Sequence, residues 1–189
     1  MSSNPESTAR TNPESTARSF DPAPETARGR ATYRMLLAVH ARIRRDLDYV
    51  RDLAAEVAGG LEPEQVNERL TTLKDGSILW RLQIDCLRYC GFVHSHHNAE
   101  DSLFFPELRA TNPEINPVVD RLEADHRRVS DDLDAVETAA RLLLEDDGRE
   151  ARQALADTLG ALEQNLIAHL DYEELNVEAT VLRLTDSLG

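Results

Sequence analysis

Cysteine is nearly missing from this sequence: Cys86 and Cys90 are the two in 189 residues, too few for disulfides to organise a fold. Four apart in a helical pattern, they fall on one face and read as small buried hydrophobes rather than a redox pair. Aromatic residues are scarce at 5%, and basic charge is outweighed, with 21 Lys and Arg against 35 Asp and Glu for a net charge of -14. That balance argues against a nucleic-acid partner and against an anionic membrane surface. No apolar run approaches the ~20 residues that cross a bilayer, and the N-terminus lacks the apolar core of a signal peptide. A cytoplasmic protein is expected. With 41% hydrophobic residues there is material for one core of ordinary domain size.

The first 28 residues cannot contribute to that core. They carry NPESTAR at Asn4 to Arg10, the same string at Asn12 to Arg18, and a decayed copy, DPAPETAR, at Asp21 to Arg28. Pro, Ser, Thr, Glu and Arg bury little, so residues 1–28 are expected to form a disordered tail and residues 29–189 the folded domain.

Within 29–189 the apolar period is helical throughout. From Gly29 to Ala58, Tyr33, Leu36, Leu37, His40, Ile43, Leu47, Val50, Ala54 and Val57 recur at steps of three and four, and Gly59-Gly60 ends the run. A thin stripe at Pro63 to Lys74 reads as a short helical piece within the connection. The next helix is expected from Ser77 to Arg109, with Leu79, Leu82, Cys86, Tyr89, Val93, His96, Glu100 and Leu103 in line and Pro106 distorting its last turn. TNPEINP breaks the chain; further helices follow at Pro117 to Glu145 and Arg149 to Leu184. Four long helices on mostly short connections predict an all-α, up-down-up-down four-helix bundle.

Each helix carries a histidine on its buried stripe: His40, His96, His126 and His169. Two are followed four residues later by a glutamate, Glu100 and Glu173, a step that stacks the pair on one helix face. A buried ring or carboxylate without a partner is costly. In an up-down bundle, His40 and His126 lie about ten residues in from one end, or ~15 Å. His96 to Glu100 and His169 to Glu173 lie a similar distance back from the ends of their helices, so all six fall at one level. Imidazole with carboxylate and no thiolate suits iron, and also zinc or manganese.

The ordered set His, His-x-x-x-Glu, His, His-x-x-x-Glu, with the strings HHNAEDSLFFPEL and HLDYEE, resembles the hemerythrin family, in its bacterial hemerythrin-like or HHE cation-binding branch. The resemblance spans about Ala31 to Leu184. It implies two iron ions in an oxo- or hydroxo-bridged centre, with Glu100 and Glu173 bridging and His40, His96, His126 and His169 as terminal ligands. Two departures stand out against the oxygen-carrying members: Leu122 and Ser130, rather than a further histidine, flank His126 by one turn, and Glu173 follows His169 by four where those proteins have an aspartate at five. The six residues, with eight bonds, and one bridging oxygen, with two, then leave about one open position on each of two octahedral ions unless Tyr89, Tyr33 or Glu123 fills one.

Neighbouring histidines offer alternatives. His97 lies about 100° round the helix from His96 and could replace it, paired with Asp101; His96 is preferred because its face is more apolar. His94 reads as a bystander. Glu123 and His126 form a single Glu-x-x-His, where ferritin-type sites use two, and no His-Glu-x-x-His protease motif occurs. Three functions remain: a di-iron protein that binds or senses dioxygen or a related small ligand, a di-iron oxidoreductase that decomposes hydrogen peroxide or reduces nitric oxide, and a metal-free helical interaction protein.

Overall fold

The structure, a computed structural model, describes residues 24–59, 78–146 and 148–185. The NPESTAR repeats and the helical piece expected at Pro63 to Lys74 lie outside the described residues. Helix α1 spans Ala27–Ala58, α2 Ile78–Ala99, a short α3 Phe105–Thr111, α4 Asn116–Glu145 and α5 Arg149–Val181. Helix α1 packs on α2 and α5, and α4 packs on α2 and α5, which closes the predicted four-helix bundle.

Helix α1 begins two residues before the expected boundary because Thr26 caps it: its side-chain oxygen accepts from the Gly29 amide at 2.8 Å. The same residue ties the bundle shut, its backbone N–H donating to Leu182 O at 2.8 Å and its hydroxyl to Leu184 O. Gly29 permits that closeness, since a Cβ there would lie 2.4 Å from Leu182 O and 2.5 Å from Val181 O.

One expected detail of the second helix is corrected. Leu103 was placed on the buried stripe, yet it is 73% exposed, while Phe105 and Leu108 are fully buried. The cause is a π-helical turn, Glu100–Phe104, in which the Phe105 amide donates to Glu100 O. The extra residue moves the stripe by one position, so the buried step after Glu100 is five residues and not three. Pro106, with no amide to give, sits in the first turn of α3 immediately beyond. The chain therefore stays helical to Thr111, where Asn112 turns it through a 3₁₀ segment, Pro113–Ile115, into α4.

The core is divided along the bundle axis. One apolar cluster, including Ile43, Leu47, Leu82, Leu133, Leu159 and Leu162, fills the end towards the α1–α2 connection. The other, including Leu36, Phe105, Leu108, Leu122, Val177 and Val181, fills the opposite end. Between them lies a polar layer.

Candidate metal centre

That layer is made by the residues that recur at helical spacing on the inward stripes. Glu100 Oε1 lies 3.2 Å from His96 Nε2 and 3.9 Å from His40 Nε2, and its Oε2 lies 3.5 Å from His126 Nε2. Glu173 Oε2 lies 3.4 Å from His40 Nε2 and 3.8 Å from His169 Nε2. His126 and His169 approach each other at 3.2 Å between Nε2 atoms. All six residues expected from the sequence are thus brought to one level, and both glutamates stand between imidazoles from different helices.

A seventh residue joins them. His97, which the sequence offered only as an alternative to His96, is buried, stacks on the His126 ring at a centroid distance of 4.0 Å and meets His169 edge-on at 5.1 Å. Ligating atoms of His97, Glu100, His126 and His169 all lie within 4.8 Å of one another, as do those of His40, His96 and Glu100. Glu100 belongs to both groups. The reading of a single inward histidine was too narrow because α2 packs against both α1 and α4: His96 contacts His40 on α1, and His97 contacts His126 on α4. A signal for this exists two turns earlier, where adjacent Tyr89 and Cys90 are both buried in the same way.

Two of the rings are oriented from behind by carboxylates. His40 Nδ1 donates to Glu174 Oε1 at 2.8 Å; Arg44 Nη1 donates to the same oxygen at 2.7 Å, and Arg44 Nη2 to Asp171 at 2.7 Å. On the other side, His126 Nδ1 donates to Asp101 Oδ1 at 2.8 Å. Each bond holds the proton on Nδ1 and turns the Nε2 lone pair inward, the usual support of a metal-bound imidazole.

The electrostatics are those of groups forced together. Burial and the neighbouring imidazoles lower His96 to about 3, His126 to about 2, and His97 further still. Burial lowers His169 to about 4, against the pull of Glu173. Burial and the Glu173 charge raise Glu100 to about 8. His40 goes the other way: burial would lower it, but the Glu100 and Glu173 carboxylates that face its Nε2, at 3.9 and 3.4 Å, carry it up to about 10. Meanwhile His40 Nε2, His96 Nε2, His97 Nε2 and both oxygens of Glu100 and of Glu173 are buried without a hydrogen-bond partner. Each such atom costs about 1–3 kcal/mol, and native interiors hold few. With His169 Nδ1, and apart from the Tyr89 hydroxyl, these are all the buried side-chain atoms without a partner among the described residues, and imidazole nitrogens and carboxylate oxygens concentrated in one layer fit divalent or trivalent cations.

The remaining sequence candidates lie elsewhere. Tyr33 donates to Glu174 O at 3.2 Å, Glu123 is paired with Arg109 at 3.2 Å, and His94 faces Asp134. Tyr89 is buried in the apolar cluster beyond the polar layer, beside Cys86 and Cys90, whose thiols burial pushes up to about 12. Both cysteines are free.

The family described as the hemerythrin HHE cation binding domain matches residues 31–180. No curated protein and no solved structure matches the chain.

Proposed function

The chain belongs to the hemerythrin family of HHE cation-binding domains, and on that premise we propose that it holds two iron ions and binds dioxygen or a related small ligand. The observation that carries this reading is the sharing of Glu100 between two groups of imidazoles, His40 and His96 on one side and His97, His126 and His169 on the other. Glu173, between His40 and His169, would be the second carboxylate to hold the ions. Bound there, iron would supply a redox-active Lewis acid able to take a small oxygen or nitrogen ligand.

The chain's own residues set what such a centre can do. Five imidazole nitrogens and the four oxygens of two carboxylates offer nine bonds, against about twelve for two octahedral ions. Positions stay free for exchange, and the group with two imidazoles is the less filled. Glu174 and Asp101 hold His40 and His126 with Nε2 inward, while Phe105, stacked 5.2 Å from His126, covers the layer with apolar surface. The two apolar clusters close the layer off along the bundle axis at both ends.

Iron quantified in purified protein, with visible spectra recorded anaerobically, in air and with peroxide, tests the proposal. About two irons per chain, as the two groups of potential ligands require, with a spectral change that reverses on removing air, is the expected result. No iron after anaerobic reconstitution would refute it. Oxygen evolution from peroxide would assign the same centre to the oxidoreductase class.

A further inference from the structure

The polar layer is not sealed on every side. Between α1 and α2 a cleft of about 160 Å³ opens at the surface and has His96 and Glu100 at its floor, with Thr32, Met35, Val39 and Phe104 among its walls. His96 Nε2 and Glu100 Oε1, which form that floor, are buried and lack hydrogen-bond partners. Met35 is 66% exposed. Phe104 is the last residue of the π turn that begins at Glu100, so one turn furnishes both a buried carboxylate and a wall of the cleft. Another described cleft between the same helices, walled by Arg42, Asp46, Tyr49 and Asp85, touches none of the seven clustered residues.

We propose that the exchangeable ligand enters through the cleft between Met35 and Phe104, and that its walls select a small molecule of low charge over a metabolite. This rests on the metal reading above. Three arguments lead to it. The cleft opens on the His40 and His96 side, which has the fewer imidazoles and so the freer position. A space of ~150 Å³ accommodates a molecule of about benzene's size, ample for dioxygen, nitric oxide or peroxide, and the cleft at about 160 Å³ can seat only a small part of a nucleotide or sugar. Ionisable side chains on the walls are limited to the two floor residues, His96 and Glu100; a highly charged ligand would lose its hydration there without a fixed counter-charge from the walls.

Met35→Trp is the perturbation, since an exposed rim position tolerates a larger side chain without disturbing the core. In iron-loaded protein, azide association followed by stopped-flow absorption should slow several-fold at unchanged iron content. Leu175→Trp, at an exposed position on α5 (80%), should leave the rate as in the parent chain. Phe104→Ala should speed it. Crystals of the metal-free protein under xenon should show the gas in the cleft, and Met35→Trp should remove it. Equal azide rates in the parent and Met35→Trp proteins would overturn the route. Failure of the parent chain to take up iron would instead refute the metal reading, with xenon occupancy deciding the route on its own: xenon in the cleft supports it and an empty cleft overturns it.

Discussion

Glu174 provides the sharpest test of how the centre is held, because it belongs to neither group of potential ligands and reaches them through His40. Its Oε1 accepts from both His40 Nδ1 at 2.8 Å and Arg44 Nη1 at 2.7 Å. His40 is completely buried, so Glu174→Ala leaves an imidazole N–H with neither its carboxylate nor easy access to water. In the metal-free protein this should cost about 1–3 kcal/mol, towards the lower figure if water follows the truncation. The loss in metal affinity should be of similar size. Removing the carboxylate behind a metal-bound imidazole typically weakens binding ~10–100-fold, or about 1.4–2.8 kcal/mol. Glu174→Gln keeps an oxygen able to accept from Nδ1 and should recover most of the loss. Anaerobic iron(II) titration against a chromophoric chelator measures the affinity, and urea unfolding in the presence of a strong chelator measures the stability. If Glu174→Ala binds both ions as tightly as the parent while Glu174→Gln does no better, His40 is not oriented by this contact and the reasoning fails.

Other outcomes follow from the same geometry. His97→Ala should lower iron content as much as His96→Ala does; an unchanged content in His97→Ala would return His97 to the role of packing partner. Glu173→Ala should lose metal rather than merely stability, since its two oxygens have no other buried partner, and full occupancy in that variant would contradict its bridging position. In metal-free protein, stability should peak near pH 6.5. Below that value the unfolded chain takes up protons that His96, His97, His126 and His169 refuse when folded, so stability falls as pH falls. Above it, Glu100, raised to about 8, and His40, raised to about 10, hold protons in the fold that the unfolded chain has released, so stability falls as pH rises. Chemical unfolding at several pH values checks this, and a steady rise in stability from pH 6 to pH 9 would refute it. Gly29→Ala should destabilise by roughly 1–3 kcal/mol, as forced overpacking does, because backbone carbonyls of Val181 and Leu182 occupy the space of the new methyl; thermal unfolding reports it, and an unchanged midpoint would contradict the contact.

The four helices were legible because each carries its own record. Leu36, His40, Ile43, Leu47 and Val50 keep a helical step along α1, and the structure buries every one of them. Depth counted from helix ends was enough to put His40, His96, His126 and His169 at one level, since rise per residue is fixed. Register within a helix was legible only while the helix stayed regular. At Glu100–Phe104 the turn widens, Leu103 swings out and Phe105 swings in; Pro106 marked a disturbance there but not its kind. His97 was misjudged for a related reason. A single stripe assumes one packing partner, and α2 has two.

What the sequence by itself determined is the local chemistry: which residue types stand on the inward faces, at what spacing, and the family those spacings share. Only the tertiary structure decided how the faces meet. Glu100 serves two groups of imidazoles, His40 is braced by a carboxylate 134 residues away, and His126 is braced by Asp101. No period along one helix encodes these contacts, because they depend on the rotation of each helix against its neighbours. The π turn, which packing at that level accommodates, then determines that Phe105 and not Leu103 is buried, and Phe104 stands in the wall of the cleft that Glu100 lines.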